Sequence, residues 1–153
     1  MHFYDRAVHE GGGYGIGPEP NARRVAVHSP AGLRPVYEKL EDWMRFYGYP
    51  TRDIFALTLA LHEAAANGFR HGNRGDPGKR LEVCYLVTED AAVVEVEDEG
   101  PGFDPARVPD PLSDEFIPRA HGRGLFLMRA YMSWVSHNPR GNRVTLGRRR
   151  SAR

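Results

Sequence analysis

Two polar side chains of different chemistry interrupt a run that is otherwise almost wholly apolar. Residues 54–69 read Ile-Phe-Ala-Leu-Thr-Leu-Ala-Leu-His-Glu-Ala-Ala-Ala-Asn-Gly-Phe, and apolar positions go nearly all the way round a helix of this sequence. Such a helix is expected to be covered on most sides. Glu63 and Asn67 stand four apart, and His71 four further on, so all three share one strip. An unpaired buried carboxylate is costly, so Glu63 needs a partner, a metal or a solvent-filled cleft. The plain alternative is an ion pair with Arg70 or with another base at the rim. His62-Glu63 begins a zinc-protease-like motif, but that motif needs a second histidine where Ala66 stands, so zinc is not expected.

Two glycine loops offer further chemistry. Asp98-Glu99-Gly100-Pro101-Gly102 follows a strand-like run, so Asp98 sits at a strand end where glycines let the backbone come close. A carboxylate there can accept a hydrogen bond from an exocyclic amine such as that of adenine. The alternative is an ordinary Asp-Gly turn, which is common, and this loop taken alone is a weak signal. The second loop, His121-Gly122-Arg123-Gly124-Leu125, leads into a predicted helix. Free amides at a helix N-terminus make an anion site, and Arg119 and Arg123 add fixed positive charge. A dinucleotide fingerprint would need a glycine at Leu127 and a preceding strand, and no Gly-Lys-Ser/Thr occurs anywhere. Any phosphate cradle is therefore of another type.

The elements that must hold these groups follow from periodicity. Val25 and Val27 alternate in a first strand, about Arg23 to Ser29. Leu33, Val36, Tyr37, Leu40, Trp43, Met44 and Tyr47 form one helical stripe, capped near Ser29 and ended by Gly48 and Pro50. Thr51 can cap a second helix running to about His71, with Gly72 as its stop. Residues 81–87 and 91–97 read as an antiparallel hairpin. Residues 99–120 form a Pro-, Gly- and Asp-rich loop too long for a mere connection. A third helix starts near Gly122, with Leu125, Met128 and Met132 on its buried side, and strands at 134–137 and 143–146 close the chain. This order predicts an α/β (α+β) two-layer sandwich, with a largely antiparallel mixed sheet covered on one face by helices. The glycine run 11–17 leads to Pro18 and Pro20 and feeds no helix, so residues 1–22 read as a flexible arm.

A length of 153 residues suits one domain, and a net charge of +1 gives no global field for nucleic acid or membrane. Glu82 to Glu115 holds eleven acidic residues and one basic residue, Arg107. Arg148, Arg149, Arg150 and Arg153 read as a solvated end rather than a phosphate-binding patch. Cys84 is the only cysteine, which fits a reducing compartment, and it reads as packing. No run approaches the roughly 20 apolar residues that span a bilayer, and no signal peptide is visible, so a cytoplasmic protein is expected.

Taken in order, Glu63-x-x-x-Asn67, Asp98-x-Gly100-x-Gly102 and Gly122-x-Gly124 before a helix resemble the GHKL ATPase superfamily with its Bergerat-type ATP-binding fold. Within it, the stretch Glu63-Ala64-Ala65-Ala66-Asn67-Gly68-Phe69-Arg70-His71-Gly72-Asn73 is similar to the N box of bacterial anti-sigma-factor serine/threonine kinases. The resemblance covers about residues 23–147 and suggests a domain over 23–148, after the arm and before a basic tail at 149–153. It implies that Asn67 offers its amide oxygen to Mg²⁺ and that Asp98 reads the adenine of ATP. Gly100 and Gly102 would pass the chain into an ATP lid at 103–121. Gly122 and Gly124 would bring amides to the phosphates, beside Arg119 and Arg123, and Glu63 would act as the base. It further implies a sigma factor and an anti-sigma-factor antagonist as partners, and a possible homodimer. Gly68 stands where the family more often has an alanine-like residue, and His62 where it is often acidic. Two other functions stay open: an ATP-gated binding module without turnover, and a hydrolase in which Glu63 activates water. The gyrase and mismatch-repair branches need a transducer domain after the last strand, and a histidine kinase needs a helical dimerisation domain, so neither is expected.

Overall fold

The computed structural model describes residues 21–102 and 127–152. Strand β1 (Arg23–Val27) leads through a 3-10 turn at Pro30–Leu33 into helix α1 (Arg34–Phe46). Helix α2 (Thr51–Asn67) follows, then strands β2 (Leu81–Val87), β3 (Ala91–Glu97), β4 (Trp134–His137) and β5 (Arg143–Arg149). The strands lie in the order β1-β2-β3-β5-β4, and every neighbouring pair is antiparallel. The predicted α/β sandwich is therefore the observed one, with no parallel pair among the described residues.

Alternation along the strands sorts the sheet into two faces. Leu81, Val83, Tyr85 and Val87 pack with Ala92, Val94, Val96, Val144 and Leu146 against Leu40 and Met44 of α1 and Leu57 and Leu61 of α2. The opposite face carries a smaller cluster of Cys84, Leu86 and Val93, with Ala22 and Trp134 beside it. Glu95 is buried on that face and accepts a hydrogen bond from the Thr145 hydroxyl at 3.1 Å. Burial pushes the Cys84 thiol up to about 11, which suits an inert packing group.

The helix starts depart from the sequence expectation. Neither helix has a side-chain cap: Ser29 only accepts the Gly32 N–H through its carbonyl, and Thr51 is already the first residue of α2, behind an extended Pro50. At the 3-10 turn and α1 a proline occupies the first turn, where its fixed φ fits and its missing N–H costs nothing, whereas Pro50 is the extended residue before α2. The end of α2 departs more usefully. The α-helix stops at Asn67, and Gly68–Gly72 widens into a π turn closed by Asn73 N–H to the Gly68 carbonyl at 2.8 Å. The chain reverses only at Arg74 and Gly75, where φ is positive.

The basic end also differs. β5 continues to Arg149, paired with Ala91, three residues beyond the expected Leu146. Beyond it, Ser151 donates both its N–H and its hydroxyl to Asp53, at 2.7 Å each. Arg148 and Ser151 are thus fastened to the start of α2, while Arg149 stays exposed and Arg150 bonds the Glu89 carbonyl.

Candidate functional site

The widened end of α2 closes directly on the loop after β3. Gly68 lies against β2, where a Cβ would stand 2.7 Å from Leu81 Cδ2, so the helix here tolerates only the smallest residue without repacking. This supplies a packing reason for the glycine that the family pattern replaces with an alanine-like residue. Four residues on, a Cβ at Gly72 would overlap the Asp98 carboxyl, and one at Gly100 would overlap the Gly72 carbonyl. Two backbones therefore meet around one carboxylate, which is possible only because neither carries a side chain. Asn73 fastens the junction: buried to 1% exposure, it accepts the Glu99 N–H at 2.8 Å and donates to the Arg80 carbonyl at 3.0 Å.

Asp98 is half-buried, with its N–H bonded to the Asn142 carbonyl at 2.9 Å. Its Oδ1 accepts the Gly100 N–H at 2.8 Å, and among the described residues no hydrogen bond reaches its Oδ2. Burial raises its carboxyl above the ordinary value, with the Glu97 charge adding to it; the Gly100 N–H, Arg140 and Lys79 only partly offset this. A second clamp comes from the β4–β5 turn. Asn142 Nδ2 donates to the Asp98 carbonyl at 3.0 Å, and Arg140 Nη2 donates to the Gly100 carbonyl at 3.1 Å. Asn138 holds that turn, accepting from the Asn142 and Arg143 amides at 3.1 and 3.0 Å. Gly102 has φ 79°, and a Cβ there would overlap the Arg140 carbonyl. A held, half-buried acceptor with one oxygen uncommitted among the described residues can take a hydrogen bond from an incoming amine.

Glu63 and Asn67 are both half-buried, between the buried Ala64 and Ala65 and the exposed His62 and Arg70. Among the described residues neither makes a hydrogen bond or salt bridge, so the Glu63–Arg70 pair is not formed. Asn67 is the last α-helical residue, directly before the turn that meets Asp98. His71 is exposed. The structure thus joins Asp98, Gly100 and Gly102 to the end of the helix that carries Glu63 and Asn67. Arg119, Gly122, Arg123, Gly124, Leu125 and the expected lid at 103–121 lie outside the described residues. Met128 and Met132 are buried, at and just beyond helical residues 127–131.

The sequence reasoning missed the bracing set: Gly72 as a contact, Asn73, Asn142 and Arg140. The turn Asn138-Pro139-Arg140-Gly141-Asn142 is legible as a turn from its residue types. Nothing in the residues says that it lands on the loop after β3.

Residues 27–148 match the histidine kinase-like ATPase domain family, and the chain belongs to it. It is 32% identical over 97 residues to the serine-protein kinase RsbW of Listeria monocytogenes, a match covering 58% of this chain and 60% of that protein. It is 31% identical over 100 residues to the RsbW of Bacillus subtilis, covering 58% and 59%. The match therefore spans about three fifths of the length of these curated relatives. The crystal structure of the RsbU and RsbW domains of a Mycobacterium tuberculosis protein superposes with a TM-score of 0.57 at 22% identity, over 89% of this chain and 34% of that one. That likeness concerns the fold.

Proposed function

We propose that this member of the histidine kinase-like ATPase domain family is a Mg-ATP-dependent serine/threonine protein kinase of a partner-switching system. Its substrate is an anti-sigma-factor antagonist, and a sigma factor is its other partner. The observation that carries the reading is Asp98, clamped from two sides with one oxygen left for an incoming donor. Asp98 accepts from the adenine amine, and the absence of side chains at Gly72 and Gly100 lets the two backbones meet around its carboxylate. Asn67 supplies an amide oxygen to Mg²⁺, a cation that takes few protein ligands and keeps its waters and phosphate oxygens. Bound ATP supplies the γ-phosphoryl group. Glu63 orients the serine or threonine hydroxyl and accepts its proton, as that oxygen bonds to the γ-phosphorus, the terminal P–O bond breaks and ADP leaves. Arg119, Gly122, Arg123 and Gly124 are assigned to the phosphates and residues 103–121 to a lid, both on the sequence pattern. A homodimer and a cytoplasmic location belong to the same reading.

The test sets Asn67→Ala against Glu63→Gln, with ATP affinity and antagonist phosphorylation measured in both. Asn67→Ala is expected to lose Mg-dependent ATP affinity. Glu63→Gln is expected to keep that affinity while losing ~10²–10⁴-fold in transfer rate. Turnover equal to wild type in Glu63→Gln would remove the catalytic assignment. ATP binding without phosphorylation in the wild type would favour an ATP-gated binding module.

A further inference from the structure

The tract that follows α2 carries cations that the chain leaves unpaired. Arg70, Arg74, Lys79 and Arg80 lie between positions 70 and 80, with Asp76 the single acid among them. None of the four makes a side-chain hydrogen bond or ion pair among the described residues. Elsewhere every described arginine except Arg129 has a hydrogen bond, an ion pair or a ring contact. The neighbouring acids do not neutralise the tract. Asp76 Oδ1 accepts the Gly78 N–H at 2.8 Å, and Glu99 Oε2 accepts the backbone N–H of Arg80 at 2.7 Å rather than its guanidinium. Hydrogen bonds fold the tract onto itself: Gly75 N–H donates to the Phe69 carbonyl at 2.8 Å, and Asn73 Nδ2 to the Arg80 carbonyl at 3.0 Å. The chain at Arg74 and at Arg80 is thereby brought back to the turn that carries Arg70. All three arginines are exposed, and a Cβ at Gly75 would meet nothing within 4 Å, so this edge is open. It abuts the candidate site, where Gly72 meets Asp98 and Asn73 meets Glu99.

The backbone at Arg74 is an independent mark. With φ 53° it is the one non-glycine residue of positive φ among the described residues. That conformation costs an L side chain roughly 5- to 30-fold in the folding equilibrium, a cost that glycine escapes. An exposed, unpaired arginine held there is of use to something outside the chain. Beyond Arg80 the chain turns acidic, with seven acids and no base from Glu82 to Glu99. A long uniform polyanion such as nucleic acid would run from the tract onto that stretch and be repelled, whereas a short acidic segment would not. We propose that the exposed face bearing Arg70, Arg74 and Arg80 docks a short acidic segment of a protein partner beside the nucleotide site. That this partner is the phosphorylated substrate rests on the kinase reading above; the docking itself does not.

Three proteins test it: wild type, Arg74→Gly, and the triple variant Arg70→Gln/Arg74→Gly/Arg80→Gln. Lys79 is kept, because its charge eases the ionisation of Asp98. The probes are a fluorescent serine peptide flanked by glutamates, its glutamine counterpart, and a single-stranded DNA of matching charge, each titrated at low and at physiological salt. Wild type is expected to bind the glutamate peptide about tenfold more tightly than the glutamine one at low salt, a preference that shrinks as salt screens it. The triple variant is expected to lose that preference while its ATP affinity stays within about twofold of wild type. Arg74→Gly is expected to lose about threefold in peptide affinity yet gain about two- to tenfold in the folding equilibrium read by urea, since glycine relieves the backbone. Equal affinity of wild type for the two peptides, or an unchanged preference in the triple variant, overturns the inference. Tighter binding of the DNA, abolished in the triple variant, overturns it in favour of nucleic acid. A loss of ATP affinity as large as the loss of peptide overturns it in favour of the nucleotide phosphates. An acidic-peptide preference in a wild type that transfers no phosphate upholds the docking face and overturns the kinase reading alone.

Discussion

Two aspartates at opposite ends of α2 and β3 are buried to different purposes. Asp53, in the first turn of α2, has 0% exposure and accepts four hydrogen bonds: two from Arg148 at 2.7 and 3.0 Å and two from Ser151. Burial opposes its ionisation, but the Ser151 N–H, the Ser151 hydroxyl and Arg148 outweigh that and hold its carboxyl below the ordinary value. Asp98 has one hydrogen bond to its carboxylate and a raised carboxyl. The first cluster is saturated and has nothing left for a ligand. The second keeps its backbone rigid while its carboxylate stays short of donors, and a group in that state gains by binding one. Saturation marks the part that holds the fold, and deficit is what the proposed nucleotide site would draw on.

The largest effect that could break this contrast lies at Asp53. Asp53→Ala strands the Arg148 guanidinium, which also donates to the Tyr131 carbonyl at 2.6 Å, in a mostly buried setting. Removing one partner of such a pair costs about 3–5 kcal/mol. Urea unfolding is expected to show that loss, with ATP affinity within about twofold wherever the variant remains folded. A loss below about 1 kcal/mol would show that the latch is not a saturated structural cluster. At Asp98 the pattern reverses. Asp98→Asn is expected to leave stability unchanged or slightly raised, because a desolvated charge is removed, while ATP affinity falls roughly 10- to 100-fold, the worth of a hydrogen bond to a charged group. Calorimetry with ATP and GTP reads it; equal affinity for both nucleotides in both proteins would sink the adenine assignment.

The sequence made the second region far more legible than the first. Apolar periodicity, hairpin spacing and the order of Glu63, Asn67, Asp98, Gly100 and Gly102 are local patterns, and each landed on the element expected for it. The Asp53 latch joins residues about a hundred apart in sequence, and an arginine run looks the same whether solvated or strapped down. Asn73 and Asn142 were invisible as braces for a related reason. A buried asparagine is defined by the backbone groups it meets, which lie 26 and 44 residues away. The π turn was equally hidden, since Gly68 and Gly72 serve contacts with Leu81 and Asp98 rather than any helix-ending pattern.

Acid titration sharpens the comparison, because the two carboxyls act with opposite sign. For Asp53 the folded value is depressed, so its stabilisation is complete above the ordinary 3.8 and is lost as pH falls through the folded value. For Asp98 the folded value is raised, so stability falls as pH climbs from 3.8 through that value. His137, pushed to about 4 by burial and then by the Arg129 charge, adds a third slope. The unfolded chain takes up a proton below about 6.5 that the folded chain resists until about 4, so stability drops over that window as pH falls. Unfolding free energies measured from pH 2 to 7 are expected to lose the lowest limb in Asp53→Ala. In Asp98→Asn only the slope just above 3.8 is expected to change. Identical profiles in wild type and Asp98→Asn would mean that the site carboxylate is not desolvated.

The smallest effect is expected at Arg140, where the fold and the site touch. Its guanidinium donates to the Gly100 carbonyl at 3.1 Å, and its charge is one of the groups easing the ionisation of Asp98. Both contacts are made by an exposed residue of the β4–β5 turn, so the fold has little to lose. Exposed ionic contacts contribute about 0–1 kcal/mol, and Arg140→Ala is expected to shift stability by no more than about 0.5 kcal/mol. Its effect on the site should be out of proportion to that. Without Arg140 the loop from Asp98 to Gly102 loses one of its two clamps, and the Asp98 charge loses a favourable neighbour, so ATP affinity is expected to fall about threefold. Arg140→Lys would restore the charge but not the planar fork, and recovery there would assign the effect to electrostatics rather than to bracing. Calorimetry of the two variants beside urea unfolding separates these outcomes. A stability loss approaching that of Asp53→Ala, with ATP affinity unchanged, would place Arg140 with the latch instead of the site and erase the division between the two regions.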